Sequence, residues 1–157
     1  MVVVDAKVYV ADAGRVLGAL SSPPPFFSRH HSEWSPKVNF SPDGERVVYT
    51  TLSDKGGKSS FSVVVDGVAG PDFDDVEIPF FSSDGKHVAY EAMTRASFKT
   101  LTPQWSMVVD GHAGGNYSGI LGDSPIFTSD GALEFLAIQA GLSKDGSIYR
   151  VKYTPAP

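Results

Sequence analysis

The chain of 157 residues has the composition of a folded domain, with 41% hydrophobic and 20% charged residues. Its net charge of -5, without a cluster of lysine and arginine, argues against a nucleic-acid-binding surface. It contains no cysteine, which excludes disulfides, thiolate nucleophiles and thiolate zinc sites.

The first predicted elements are two strands at residues 2–4 and 7–10, which form a hairpin. Ala6 stands where such a turn favours glycine, and this predicts a weaker turn because alanine tolerates a positive φ poorly. Residues 11–20 fit either one helical turn or an irregular strand. Residues 1–20 are therefore assigned to an N-terminal hairpin and its connection.

Residues 21–36 form an insertion rich in proline and aromatic residues. The connection from the hairpin turn at Asp5 to the next motif at Phe40 takes 35 residues, whereas the two equivalent connections take 15 and 17. Insertions on repeat scaffolds often lie on the binding face. The candidate binding residues are therefore Phe26, Phe27, His30, His31 and Trp34.

Beyond the insertion, one motif occurs three times. The copies are FSPDGERVVYTT at 40–51, FSSDGKHVAYEA at 81–92 and FTSDGALEFLAI at 127–138. Each copy has a Phe, a hydroxyl residue, one variable position, Asp-Gly and then apolar residues. This order is typical of a strand, a tight turn and a returning strand. The aromatic residues that recur with this motif are interpreted as core between repeats: Phe40, Phe81, Phe127, Tyr49, Tyr90 and Phe135.

A second motif recurs in phase, as VVVDA at 2–6, VVVDG at 63–67 and MVVDG at 107–111. The first motif recurs after 41 and then 46 residues, a period that is typical of four-stranded blades. Each blade is predicted to contain an inner strand, the first turn, two central strands, the second turn and an outer strand. The predicted outer strands are 73–78 and 117–121.

The sequence therefore predicts an all-β domain of β-propeller type over residues 1–157. Its four-stranded antiparallel blades are assigned to residues 37–78, 79–124 and 125–153, with almost no helix. Closed propellers contain about four to eight blades, whereas this chain supplies three blades and a hairpin. The chain is thus expected to be part of a larger propeller, or to close a ring by oligomerisation with residues 7–10 as the missing outer strand of the third blade.

These motifs resemble the WD40-like repeats of the bacterial PD40 type, in the TolB-like class of β-propellers. The resemblance covers most of residues 37–153. It rests on the three Phe-x-x-Asp-Gly turns with their returning strands, and on the two Val-Val-Asp-Gly turns with the aromatic residues that follow, Phe73 and Tyr117. Members of the class serve as scaffolds in translocation proteins and beside peptidase or lyase sites, so the resemblance implies a fold and no single activity.

The Asp-Gly pairs recur at the blade period and are therefore interpreted as structural turns rather than as a metal site. They are Asp43, Gly44, Asp66, Gly67, Asp84, Gly85, Asp110, Gly111, Asp130 and Gly131. The hydroxyl residues Ser41, Ser82 and Thr128 are expected to bond the turn backbone. The acidic run at 72–77 is interpreted as a solvated edge.

His30, His31 and Glu33 are clustered residues of the types that bind metals. His31 and Glu33 would face one way on an extended segment, and His87 or His112 could add a third ligand. A surface loop is the favoured interpretation of the cluster, and His87 and His112 are likewise interpreted as surface residues. No metal and no cofactor is therefore predicted.

No catalytic residue is predicted, because the sequence contains no Gly-x-Ser-x-Gly elbow, no cysteine and no phosphate-binding loop. The favoured function is a non-catalytic binding or scaffolding module for a protein or peptide partner, which can be a second copy of the chain. One alternative is an enzyme-associated propeller with a metal-dependent lyase or hydrolase site at His30, His31 and Glu33. The other is a truncated propeller without activity of its own.

The compartment depends on whether the chain is complete. No segment reaches the roughly 18 apolar residues of a membrane-spanning helix, and residues 1–5 lack the charged start and apolar run of a signal peptide. A complete chain is therefore expected in the cytoplasm. Because the chain opens within a repeat, it can also come from a longer precursor, which would be periplasmic or secreted.

Overall fold

The structure is a computed structural model that describes residues 35–97, 102–139 and 146–155 in full and residues 2–4, 7–12 and 15–19 as strands. These parts of the chain contain strands and no helix. The strands are β1 (Val2–Val4), β2 (Lys7–Asp12), β3 (Arg15–Ala19), β4 (Val38–Phe40), β5 (Val47–Lys55), β6 (Lys58–Val65), β7 (Val68–Ala69), β8 (Asp75–Val76), β9 (Phe80–Phe81), β10 (Val88–Thr94), β11 (Gln104–Val109), β12 (His112–Ala113), β13 (Gly119–Ile120), β14 (Ile126–Phe127), β15 (Leu133–Gln139) and β16 (Ser147–Tyr153).

The strands form four antiparallel sheets. The N-terminal sheet has the order β1-β2-β3, so residues 15–19 adopt the strand rather than the helical alternative. Repeat sheet 1 has the order β4-β5-β6-β7. In repeat sheet 2, β8 and β9 both pair with the inner side of β10, and β11 and β12 follow on its other side. In repeat sheet 3, β13 and β14 pair with β15, which pairs with β16. The all-β prediction is confirmed.

The register of the sheets defines which residues are equivalent between repeats. Tyr49 lies opposite Val64, Tyr90 opposite Val108, and Phe135 opposite Val151. Tyr49, Tyr90 and Phe135 therefore occupy the same position. This position is one residue closer to the motif's Phe in the third copy, because its first turn is one residue shorter. The turn closes from Ser41 N to Arg46 O in the first copy but from Thr128 N to Ala132 O in the third.

The predicted outer strand at 73–78 is wrong. The outer strand of repeat sheet 1 is the two-residue β7, which follows the second turn at once and pairs with β6. Gly70 and Pro71 end β7, since proline has no N–H to donate to a neighbouring strand. Phe73 still bridges to Phe61 of repeat sheet 1, but β8 already pairs with β10 in repeat sheet 2. The chain crosses between the sheets here.

Neighbouring repeat sheets pack face to face through alternate residues of their central strands. One core cluster combines Val48, Phe61 and Val63 of repeat sheet 1 with residues of repeat sheet 2 that include Val88 and Tyr90. The intervening residues of β10 and β11 face the other way and pack on repeat sheet 3, in a second cluster with Leu133, Phe135 and Ala137. Strand alternation thus gives repeat sheet 2 two buried faces.

The second turns have the backbone that an Asp-Gly hairpin requires. Asp66 and Asp110 both have a φ of 49°, and Gly67 and Gly111 have φ values of 87° and 80°. Two successive positive φ values match the right-handed twist of the flanking strands. Each aspartate also accepts a hydrogen bond from the first residue of the central strand beside it, Val47 N or Val88 N, at 2.9 Å.

The residue before each of these valines links one sheet to the next. Arg46 donates to Asp66 Oδ2 at 2.8 Å and, across the boundary, to the carbonyl oxygens of Gly85 and Lys86 at 2.7 and 2.9 Å. Its guanidinium lies 5.3 Å from the ring centroid of Phe81 in repeat sheet 2.

His87 repeats this arrangement one sheet later. Its Nδ1 is 2.7 Å from Asp110 Oδ2, and its ring stacks on Phe127 of repeat sheet 3 at 6.4 Å and 26°. His87 is partly buried, since 20% of its side chain is exposed at this boundary. We call the contacts of Arg46 and His87 the sheet locks.

Replacing Arg46 by lysine should lower the free energy of unfolding by about 1–2 kcal/mol, because lysine keeps the charge but cannot donate from a planar guanidinium to three acceptors. Urea unfolding measures this loss. The matched control is Arg150→Lys, because the Arg150 side chain is 74% exposed where it pairs with Glu134, and this change should cost less than about 0.5 kcal/mol. Equal effects of the two substitutions would contradict the role of the first sheet lock.

Candidate functional site

The predicted binding residues Phe26, Phe27, His30, His31 and Trp34 lie outside the residues that the structure describes, as does Glu33. Their roles stay predictions.

The aspartates of the first turns are held by their own turns. The Ser41 hydroxyl donates to Asp43 at 2.5 Å and the Ser82 hydroxyl to Asp84 at 2.6 Å, and each bond lowers the pKa of its carboxyl. The pKa of Asp130 is lowered mainly by its hydrogen bond from Lys152 and also by that from Thr128. These carboxylates serve their turns and do not converge on a common point.

The remaining metal-type residues are also dispersed. Asp74 accepts a bond from Arg95 N at 2.9 Å, and Asp75 accepts one from Val76 N at 2.9 Å. His112 is exposed and its Nδ1 lies 3.0 Å from Asp110 O. In the described ranges, no three His, Asp or Glu side chains form a group that could hold a metal ion.

A cavity of about 620 Å³ lies between repeat sheets 2 and 3, close to their inner strands. We call it the Glu91 cleft. Three carboxyl-bearing residues line it, Glu77, Glu91 and Asp123. Its apolar wall is formed by Ile78, Phe80, Trp105, Ile120 and Pro125. The volume is within the range of about 300–1,000 Å³ that is typical of ligand sites.

The three acidic residues reach the cleft from three different segments of the chain. Glu91 lies in the middle of β10, on the face that packs against repeat sheet 3. Glu77 lies between β8 and β9, and its N donates to Glu91 O at 2.9 Å. Asp123 lies in the bend between β13 and β14 with a φ of 60°. Because each residue comes from a different segment, their meeting depends on the packing of the two sheets.

The Glu91 carboxyl has an unusual electrostatic environment. Burial, and secondarily the negative charge of Glu77, raise its pKa to about 7. Lys37 forms an ion pair with Glu77 at 2.9 Å. Among the described residues, none forms a hydrogen bond or ion pair with the Glu91 carboxyl, so a cationic group that entered the cleft would find an uncompensated acceptor.

Sequence reasoning missed Glu91 because it was treated as one position in an alternating strand. A signal was present, since the equivalent residues of the other repeats are Thr50 and Leu136. The neighbours of Glu91 in the strand are buried, and the equivalent residues of the other repeats are uncharged. An ionisable residue at such a position indicates a functional role for the charge rather than a contribution to solubility.

Comparison with known proteins identifies no relative. No family model, curated protein or solved structure matches this chain.

Among the described residues, no helix has the length and hydropathy needed to cross a membrane.

Glu91→Gln should change how stability depends on pH. Because the folded-state pKa of about 7 lies above the ordinary 4.5, protonated Glu91 stabilises the fold at low pH, and this contribution is lost as pH rises through 7. The variant should lose that part of the slope and be more stable than the wild type at pH 8. Urea unfolding between pH 5 and 8 tests this, with the exposed Glu45→Gln as control. Parallel curves for wild type and Glu91→Gln would refute the assignment.

Proposed function

We propose that this chain is a non-catalytic binding or scaffolding module of propeller-type repeats, and that a peptide segment of a protein partner binds in the Glu91 cleft. The observation that carries the proposal is the cleft itself, because an open cavity between two packed sheets contains an acidic group without a partner. Three carboxyl-bearing residues and Trp105 line the same cleft, and this combination suits an arginine or lysine side chain.

The order of the strands supports the propeller-type interpretation. In repeat sheets 1 and 2 the chain runs from the inner strand through two long central strands to a two-residue outer strand, and then crosses to the next sheet. The sheet locks recur at each described boundary between repeat sheets. This is the connectivity expected of successive blades.

The outer edge of repeat sheet 3 supports self-association as part of the same function. β7 covers β6 and β12 covers β11, whereas no described strand covers β16. Ile148 and Tyr149 of β16 are 63% and 51% exposed. Arg150 and Lys152 of β16 are paired with Glu134 and Asp130 of their own sheet, so the uncovered edge can accept a strand from another chain. The N-terminal sheet of a second copy, which begins with the VVVDA version of the second motif, is the proposed occupant.

Light scattering tests the self-association. We expect a mass twice the 16.7 kDa of one chain. Ile148→Lys places a charge on the uncovered edge and should shift the mass to that of the monomer, since charged residues on an edge oppose strand pairing. Val68→Lys makes the same kind of change on β7 and should leave the mass unchanged. A monomeric wild type would rule out the second copy as occupant.

Two capped pentapeptides that differ only in a central arginine or glutamate test the Glu91 cleft. Only the arginine peptide should shift the NMR signals of the Trp105 indole and of the Gly119 and Gly122 amides in a saturable way. Its binding should be tighter at pH 8 than at pH 6, because Glu91 is ionised above a pKa of about 7.

Glu91→Gln should weaken binding of the arginine peptide about two- to fivefold and remove its pH dependence. Glu45→Gln, an exposed change in the first turn of repeat sheet 1, should do neither. Equal binding of the two peptides, or the absence of any saturable shift, would overturn the proposal for the cleft.

A further inference from the structure

The first turns of repeat sheets 1 and 2 are built by the same hydrogen bonds. The serine hydroxyl of each turn accepts a bond from the backbone N–H five residues later, at 2.9 Å for Ser41 and 3.0 Å for Ser82. Gly44 N donates to Ser41 O and Gly85 N donates to Ser82 O, both at 2.9 Å. The two turns therefore present their outward carbonyl groups in the same arrangement.

In repeat sheet 2, this turn and the Phe before it receive a side chain from the preceding sheet. Arg46 donates to the carbonyl oxygens of Gly85 and Lys86 at 2.7 and 2.9 Å, and its guanidinium lies over the ring of Phe81 at 5.3 Å. A guanidinium suits this place because it is planar, donates several hydrogen bonds in a fixed geometry and stacks on aromatic rings. Two carbonyl oxygens and one ring thus form a receptor for arginine.

Repeat sheet 1 has the same three groups, which are the carbonyl groups of Gly44 and Glu45 and the ring of Phe40. We call them the Phe40 receptor. Phe40 lies opposite Val47 as Phe81 lies opposite Val88, so the ring has the same place beside its turn.

The Phe40 receptor is open. Among the described residues, none donates a hydrogen bond to the carbonyl oxygen of Gly44 or Glu45, and no cation lies over the Phe40 ring. Phe40 is 43% exposed, whereas Phe81 packs against the core cluster between repeat sheets 1 and 2. The binding groups that hold Arg46 inside the chain are therefore repeated on the surface without an occupant from the described residues.

Turn length indicates which side chain the receptor accepts. The first turn of repeat sheet 3 is one residue shorter, and the side chain over its Phe127 is His87 rather than an arginine. The turn beside Phe40 has the full length of the turn that binds Arg46. The matching occupant is therefore an arginine.

A second copy of the chain is a poor source of this arginine. Its last repeat has Ala132 at the position of Arg46, and alanine can neither donate to the carbonyl groups nor stack on the ring. Arg95 and Arg150 already pair with Asp74 and Glu134 of their own chain. The arginine has to come from another protein.

We propose that the Phe40 receptor docks a second protein through an arginine that precedes a central strand of a propeller-type repeat, as Arg46 does in this chain. The contact between repeat sheets 1 and 2 would then continue across a boundary between two proteins. The proposal rests on the propeller-type interpretation of the repeats, but it involves neither the Glu91 cleft nor the edge of β16.

Two capped pentapeptides that differ only in a central arginine or lysine are the probes, titrated into the full chain. The arginine peptide should shift the NMR signals of the Phe40 ring and of the Gly44 and Glu45 amides in a saturable way. The lysine peptide should bind there about two- to fivefold more weakly, because an ammonium lacks the planar arrangement of donors that fits two carbonyl groups and a ring.

Phe40→Leu should weaken binding of the arginine peptide at the Gly44 and Glu45 amides about two- to fivefold, because it removes the aromatic face and keeps an apolar side chain. Ile126→Ala is the control. It truncates another exposed apolar residue of an inner strand, 55% exposed in β14, and should leave the dissociation constant unchanged.

The position of the signals separates this test from that of the Glu91 cleft. Shifts at Trp105 and Gly119 report the cleft and should depend on pH, whereas binding at the Phe40 receptor should be equal at pH 6 and pH 8, because carbonyl groups and a phenyl ring do not titrate. Either site can thus fail while the other binds.

Three results would overturn the proposal: no saturable shift at Gly44 and Glu45, equal binding of the two peptides there, or unchanged binding to Phe40→Leu. A dilution series of the wild-type chain without peptide tests the source of the arginine. The Gly44 and Glu45 signals should stay in place, and their movement with protein concentration would assign the receptor to a second copy and refute docking of another protein.

Discussion

The contact on which the order of the sheets depends is made by the residue that precedes each long central strand. Arg46 and His87 each meet an aspartate of their own sheet and an aromatic ring of the next, so one side chain fixes a turn and a sheet boundary together. Hydrophobic packing alone would allow the sheets to slide, whereas a directed bond to Asp66 or Asp110 restricts the position of the ring contact. In the third repeat Ala132 holds this position and can make neither contact.

Much of the fold follows from spacing and alternation. The Asp-Gly turns need a specific backbone conformation, and the central strands β5, β10 and β15 need apolar residues at regular positions, so both features produce regular patterns in the sequence. The outer strands produce no such pattern, because two residues such as Val68 and Ala69 are too few to show a period. The apolar and acidic residues at 73–78 looked more like a strand, yet their backbone divides between two sheets.

The candidate sites were less predictable for a different reason. In sequence Phe40 is an ordinary copy of the motif's Phe, yet it is 43% exposed, whereas Arg46 lies over the ring of Phe81. The period carries no information about which side chain lies over a ring. Glu77 and Asp123 are likewise ordinary surface-type residues in sequence. They become candidate site residues only because the packing of two sheets places them around one cleft with Glu91. Contacts between sheets depend on packing angles and turn lengths that a single sequence does not specify.

Strand β10 contributes to both buried faces of repeat sheet 2. Successive residues of a strand point to opposite faces, so Tyr90 and Glu91 belong to different boundaries although they are neighbours in the chain. At these two positions repeat sheet 3 has Phe135 and Leu136, which carry neither a hydroxyl nor a charge. The backbone of the repeat is therefore kept while the chemistry of two adjacent side chains changes. A shift of β10 by one residue would exchange the two faces, which means that the register fixed at Val88 by Asp110 and His87 is a condition for the Glu91 cleft.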